Sequence, residues 1–152
     1  MLELIINVAI VIGVAFFMEG VAWFTHKFIM HGFLWVIHED HHRPHKGYFE
    51  KNDLFTVFFS LVAFFLFFFG LLWEIYPMFS AGLGMSFYGI FYTIFHDILF
   101  HKRIKIKAPK WRYLKRIINA HRTHHAGRDT QRNAKAYGFL FASKKYDNFP
   151  ST

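Results

Sequence analysis

The chain has 152 residues, 54% of them hydrophobic and 22% aromatic, with a formal net charge of +8. A water-soluble domain of this length has too little interior to hide so much apolar surface. The apolar residues also gather in long runs, which points to a membrane protein. The absence of cysteine excludes disulfides, thiolate zinc sites, iron–sulfur clusters and a cysteine nucleophile.

A bilayer takes about 20 apolar residues of helix. The first candidate span runs from about Leu4 to Phe24 and is broken only by Asn7 and Glu19. The apolar run Phe28–Ile37 is interrupted by His31 and is too short to cross, so it reads as interfacial or re-entrant. The second span runs from Leu54 to Trp73 without a charge. Glu74, Ile75 and Tyr76 make a tight connection to the third, from Pro77 to about Phe95. No basic residue precedes the first span and no small-residue cleavage site follows it, so a cleaved signal peptide is not expected. Further on, Pro109 suits the first turn of a helix and Gly127 the end of one. Between them Trp111, Leu114, Ile118, His121 and His125 share one helical face, bordered by His124. Lys110, Arg112, Lys115, Arg116 and Arg122 lie mostly elsewhere, which makes an amphipathic helix at a membrane surface. The fold class expected is an all-α integral membrane protein of one domain, residues 1–152, with three transmembrane helices and a fourth left open.

No Lys or Arg falls in 1–26 or 52–101. With three spans, all 18 lie on one side, which the positive-inside rule makes cytoplasmic. The N-terminus is then outside and the C-terminus inside. Nucleic-acid binding is another reading of a basic chain, but this placement is a topology signal and a contact surface for anionic lipid.

Ten of the eleven histidines fall into two copies of one pattern, H-x4-H then H-x2-H-H. They are His26, His31, His38, His41 and His42, then His96, His101, His121, His124 and His125. All ten lie on the cytoplasmic side in a topology drawn from Lys and Arg alone. In H-x2-H-H the residues at i, i+3 and i+4 share a helical face. In H-x4-H they stand about 140° apart on an ideal helix, so they converge only where the helix ends, bulges or kinks. A lone histidine is more often a hydrogen-bonded or interfacial residue, but ten in a duplicated pattern read as a metal site. Ten ligands are too many for one ion, and two metals with about five each suit six-coordinate iron with an open position. Carboxylates should offset the charge and orient the imidazoles. Glu19, Glu39, Asp40, Glu50, Asp53 and Asp97 are the candidates, with a helix N-cap as the other reading of Asp53. His45 fits neither copy and reads as a surface residue.

The four boxes in this order resemble those of the fatty acid hydroxylase superfamily of membrane di-iron oxygenases. HKFIMHG at 26–32, HHRPHKGYFEKNDL at 41–54, HDILFHKR at 96–103, YLKRIINAHRTHHA at 113–126 and YGFLFA at 137–142 look like the bacterial β-carotene hydroxylase family. The resemblance covers nearly the whole chain. It implies 3-hydroxylation of carotenoid β-ionone rings, β-carotene passing through β-cryptoxanthin to zeaxanthin, with ketolated carotenoids as further substrates. It also implies two irons held by the ten histidines, molecular oxygen, and electrons from a reduced ferredoxin-type donor. Zinc can replace iron in a purified preparation, since imidazole suits both. Arg43 and His45 depart from the family's pattern, which has an acid and an arginine there.

The residues themselves agree with such chemistry. No G-x-G-x-x-G is present to bind a flavin or nucleotide, so attack on an unactivated C–H falls to the metals in a water-excluded site. A polyene entering from the bilayer would lie among the spans, with Trp35, Tyr88 and Tyr92 as candidate substrate contacts. Phe58, Phe59, Phe64, Phe65, Phe67, Phe68 and Phe69 either line that path or face lipid, and lipid is the simpler account. Lys102, Arg103, Lys115 and Arg116 are candidates for docking an acidic electron donor. A hydroxylase or desaturase of another lipid or sterol shares the boxes. A metal transporter would need ionisable residues through its spans, and spans two and three have none. The expected location is the cytoplasmic membrane of a bacterium, since no transit peptide is visible. The oligomeric state is not expressed in the pattern.

Overall fold

The computed structural model describes residues 1–43, 47, 49–107, 110–126 and 130–147. No β-strand occurs among them. Helix α1 (Leu2–Phe24) continues into π-helical turns over Thr25–Phe33, then a short α2 (Trp35–His38) and a 3-10 turn (Glu39–His42). Helix α3 (Asp53–Leu72) runs back, and α4 (Tyr76–Tyr92) returns, again ending in π-helical turns over Thr93–Phe100. Helix α5 (Arg112–His125), the one-turn α6 (Thr130–Asn133) and a 3-10 turn (Lys144–Tyr146) complete the chain. Three of these rods are long and apolar enough to cross a membrane: Leu2–Phe33, Asp53–Leu72 and Tyr76–Phe100. The interfacial run expected over Phe28–Ile37 is instead mostly a continuation of the first rod, bent at Gly32, whose φ and ψ leave the helical region.

The α3–α4 turn is set by Glu74, which takes a left-handed φ of 58°. Ile75 N–H then reaches Gly70 C=O at 2.8 Å and Glu74 N–H reaches Leu71 C=O at 3.3 Å. That closes the last carbonyls of α3 in a Schellman arrangement, and Pro77 opens α4 at a position needing no N–H.

Helix α4 is central, packing against both α1 and α3. Lipid offers no hydrophobic drive between spans, so close backbone approach at small residues does that work. A Cβ on Gly82 would meet Phe67 N of α3 at 2.5 Å, and one on Gly84 would meet Val11 O of α1 at 2.5 Å. Gly70 meets Phe79 N at 2.4 Å in the same sense. Asn7, which interrupts the first apolar run, accepts a 3.0 Å hydrogen bond from the buried Ser80 hydroxyl. Outward faces are apolar, with Phe16, Phe17, Phe58, Phe64, Phe65 and Phe68 exposed.

Helix α5 is amphipathic, but its buried side is broader than the stripe read from sequence. Leu114, Ile117, Ile118, Ala120, His121 and His124 are buried, while Trp111 is 74% exposed. Trp111 precedes the helix with extended backbone, so its side chain leaves the stripe. Arg116 (2.6 and 3.0 Å) and Arg112 (3.1 Å) bind Asp147, and Asn119 donates to Tyr146 C=O at 3.1 Å. Pro109 and Gly127 lie outside the described residues.

Gly82→Leu and Gly84→Leu are expected to lower the melting temperature of the detergent-solubilised chain, at a cost of about 1–3 kcal/mol or more. Gly13→Ala, beside which nothing lies within 4 Å, should not lower it. A circular-dichroism melt checks both.

Candidate metal centre

His26 and His31 sit in the first π-helical turns, and His96 sits in the second, with His101 the residue that follows them. In a π-turn the hydrogen bond runs from i to i+5, so residues five apart return to one face. His101 N–H donates to His96 C=O at 3.0 Å, and Leu34 N–H to Ile29 C=O at 3.0 Å. The pairs therefore close up, with ring centroids 5.1 Å apart for His26 and His31 and 4.6 Å for His96 and His101. His121, His124 and His125 come from the last turn of α5. His38 ends α2, and His41 and His42 follow on the 3-10 turn. All these segments meet at one end of the bundle.

Nine of the ten histidines fall into two groups whose donor atoms lie within 4.8 Å of one another. Group one is His26, His31, His38, His42 and His124, and group two is His41, His96, His101 and His121. The tenth, His125, lies against both, stacked on His42 at 4.2 Å and 4.5 Å from His121. His26, His31, His38, His41, His96, His121 and His124 are buried.

The hydrogen bonds fix which nitrogen points where. His26 Nδ1–H donates to Tyr137 C=O at 3.0 Å, His31 to Gln131 C=O at 3.3 Å and His124 to Lys135 C=O at 3.1 Å. His38 donates to Asn52 Oδ1, His41 to Glu50 Oε2 and His96 to Asp97 Oδ1, each at 2.7 Å. With the proton on Nδ1, each Nε2 presents a lone pair. Yet Nε2 of His31 lies 3.1 Å from Nε2 of His124, and Nε2 of His41 lies 3.1 Å from Nε2 of His96. His38 and His42 come equally close, at 3.1 Å, and His101 and His121 at 2.8 Å, but a proton on Nε2 of His42, whose Nδ1 has no partner, can bridge the first of these. The facing lone pairs of His31 with His124 and of His41 with His96 repel unless a cation joins them. Neighbouring ligands about 2.1 Å from one metal stand about 3.0 Å apart in an octahedral shell. The buried Nε2 atoms of His26 and His125 have no hydrogen-bond partner, which a metal would explain. The donor set thus fits two metal ions.

Burial keeps these imidazoles neutral. It brings His38 and His101 down to about 4, from the ordinary 6.5, and His124 to about 3. His41 and His121 also fall well below that range, through burial first and neighbouring histidines second.

The acids divide. Glu50 and Asp97 orient imidazoles of group two. Asp53 is not the N-cap of α3, a place taken by Asn52 because the helix starts one residue earlier; Asp53 accepts Glu50 N–H at 3.0 Å and pairs with Arg103 at 2.8 Å. Asp40 accepts Lys51 N–H at 2.7 Å and Glu39 pairs with Arg43 at the surface. Glu19 bonds to no imidazole: it takes Tyr88 O–H at 2.8 Å and backbone N–H groups of 139–141. Its seven-residue separation from His26 leaves it deeper in the span, where Tyr88 and that segment bond to it. Sequence reasoning missed Asn52, although it stands in the F-E-x-N-D stretch, and it missed the carbonyls of 131–137, which no side-chain pattern can announce.

A cleft of about 430 Å³ lies among the three spans, with Met18, Phe59, Met85, Tyr88 and Tyr92 in its lining. Tyr92 stacks on His96 at 4.6 Å. Phe139 also lines the cleft and stacks on His26 at 5.1 Å. Tyr88 and Tyr92 therefore stand where a substrate contact was expected. Trp35 does not line this cleft and packs on His31 and His42. Of the seven phenylalanines, Phe59 alone faces it. Lys102 and Lys115 are exposed, whereas Arg103 and Arg116 are engaged with Asp53 and Asp147. His45 lies outside the described residues.

Comparison with known proteins matches residues 11–149 to a family described as fatty acid hydroxylase. The chain is 44% identical over 145 residues to a protein named beta-carotene hydroxylase from Pseudescherichia vulneris, covering 95% of this chain and 81% of that one. It is 41% identical over 137 residues to one of the same name from Pantoea ananas, covering 90% and 77%. A chloroplastic beta-carotene 3-hydroxylase 2 of Arabidopsis thaliana is 37% identical over 128 residues, covering 82% and 42%. No solved structure matches significantly.

The depressed imidazole values set a pH dependence. Unfolded histidine takes its proton near 6.5, and the folded His38 and His101 only near 4. Stability of the metal-free chain is therefore whole above 6.5 and is lost as pH falls through about 4. Melts across pH 7.5 to 4 should show that loss. A melting temperature that stays flat to pH 4 would contradict it.

Proposed function

We propose, for a chain that belongs to the fatty acid hydroxylase family, hydroxylation of carotenoid β-ionone rings at C3 at a non-haem two-iron centre. β-Carotene would pass through β-cryptoxanthin to zeaxanthin. Each turnover takes one O2 and two electrons with two protons, placing one oxygen in the C–H bond and releasing the other as water. The observation that carries the reading is the facing Nε2 pairs of two histidine groups beside an apolar cleft. Iron suits these sets of neutral nitrogens and keeps positions open. Two bound irons supply O2 activation, and the rest of the work belongs to the chain.

The Nδ1 tethers hold each imidazole in one tautomer. Glu50 and Asp97 place negative charge beside group two, which offsets the charge a metal brings into an apolar surround. Met18, Met85 and Phe59 give the hydrocarbon ring an apolar bed, while Tyr92 and Phe139 line the cleft where it meets His96 and His26 and limit water there. A ring held there comes in from the bilayer side, and the remaining polyene extends toward lipid.

The restriction of Lys and Arg to the histidine end of the three rods supports a cytoplasmic active site, an outside N-terminus and a bacterial cytoplasmic membrane. The exposed Lys102 and Lys115 suit an acidic ferredoxin-type donor. A transport reading lacks a path, because Glu74, in the α3–α4 turn, is the one charged residue from Leu54 to Phe95.

Cells that make β-carotene are expected to gain β-cryptoxanthin and zeaxanthin when they express this chain, read by chromatography and mass, and to lose both with His121→Ala. Unchanged β-carotene despite folded, iron-loaded protein and a working donor would move the assignment to another lipid of the same family. Met85→Trp, which fills the cleft, should cut carotenoid turnover at least tenfold while leaving bound iron unchanged. Equal loss of iron would place Met85 in the fold rather than the cleft.

A further inference from the structure

Glu19 sits inside the first apolar rod and is 8% exposed. Its Oε1 accepts the N–H groups of Phe139 and Leu140 at 2.9 Å and of Phe141 at 3.4 Å. Its Oε2 accepts the Tyr88 hydroxyl at 2.8 Å. Three successive N–H groups around one oxygen form an anion nest, and hydrogen bonds to a carboxylate are the strong kind. The nest is also tight: a Cβ on Gly138 would lie 3.3 Å from Glu19 Oε1 and 3.0 Å from Phe141 O.

The segment held this way leads straight into group one. Gln131, Lys135 and Tyr137 supply the carbonyls that take Nδ1–H from His31, His124 and His26. Phe139, inside the nest, stacks on His26 with its plane tilted by 12°. From 134 to 143 the chain has no helix of its own to keep these carbonyls in place. Group two takes its hydrogen-bond acceptors from Glu50 and Asp97, outside this segment, and meets the segment through the edge contact of Phe139 with His96 at 5.3 Å, which holds no Nδ1 proton.

We infer that Glu19 is a positioning residue for one metal site of the two: by anchoring residues 131–141 as a strap, it sets the metal affinity of group one and leaves that of group two alone. The inference rests on reading the two histidine groups as two metal sites. It gives a charge buried in a span a defined task at a distance from the metals.

The test is a Co2+ titration of the full-length, metal-free chain in detergent, read by the visible absorption of imidazole-bound Co2+. The wild type should take two equivalents. Glu19→Gln keeps the side chain's shape and removes its charge. It is expected to weaken one equivalent about 10–100-fold and spare the other. Glu50→Gln should weaken the other equivalent, and the double variant both. Should Glu19→Gln fail to fold, Gly138→Ala crowds the same nest and should weaken the same equivalent. The inference falls if Glu19→Gln spares both equivalents, weakens both alike, or shares its target with Glu50→Gln so that the double variant keeps one site intact. A wild type that binds fewer than two equivalents would overturn the two-site reading and the inference together, whereas two equivalents untouched by Glu19→Gln would overturn the inference alone.

Discussion

The structure turns on a repulsion. Imidazoles that donate Nδ1–H to protein oxygens must aim Nε2 lone pairs at each other across about 3 Å. Moving a proton to Nε2 in the His31–His124 or His41–His96 pair would break an Nδ1–H bond to a carbonyl or a carboxylate. Only a cation between the nitrogens turns the crowding into attraction. The rest of the chain holds that arrangement.

Three features serve it. Close contacts at Gly82 and Gly84 hold α4 against α3 and α1. The loop before α3 returns Glu50 and Asn52 to the second histidine box, and Arg103 ties Asp53 and Glu50 from the third. The C-terminal segment folds back over the remaining histidines with its backbone. The two groups are thereby built differently. Group two faces carboxylates, and group one faces carbonyls and an amide. The electrostatic surroundings of the two histidine groups are therefore unequal.

Much of this was legible in the sequence because it rests on local patterns. Run length located all three rods and bounded the second within a residue or so, but not the π-helical continuations of the first to Phe33 and the third to Phe100, while the repeated spacing marked the ten histidines as one set. Glu50 and Asp97 were recognisable as acids close to the boxes. Asn52 was not singled out, since an amide carries no charge to mark it. The carbonyls of Gln131, Lys135 and Tyr137 are invisible in principle, because every residue has one and only the path of the chain selects three. Glu19 stood out as a charge within oil, but its partners lie some 120 residues away, beyond any periodicity. The stripe on α5 failed at Trp111 because the helix begins after it.

The π-helical turns carry a consequence for the chain beyond them. An ordinary helix advances about 100° per residue, so two ligands would align at a spacing of four. A five-residue spacing holds one residue more than alignment needs, and the wider turn absorbs it. Wound as an ordinary helix, the same chain would turn His31, and every residue after it, by about 100° from where the wide turn leaves them. The swing would carry off α2 with His38, His41 and His42. The wide turn thus acts as a bearing in the chain: it sets the direction in which the second box departs from the first. The same holds between His96 and His101, where it aims the chain toward α5. The spacing of a histidine pair encodes where the next pair will be found.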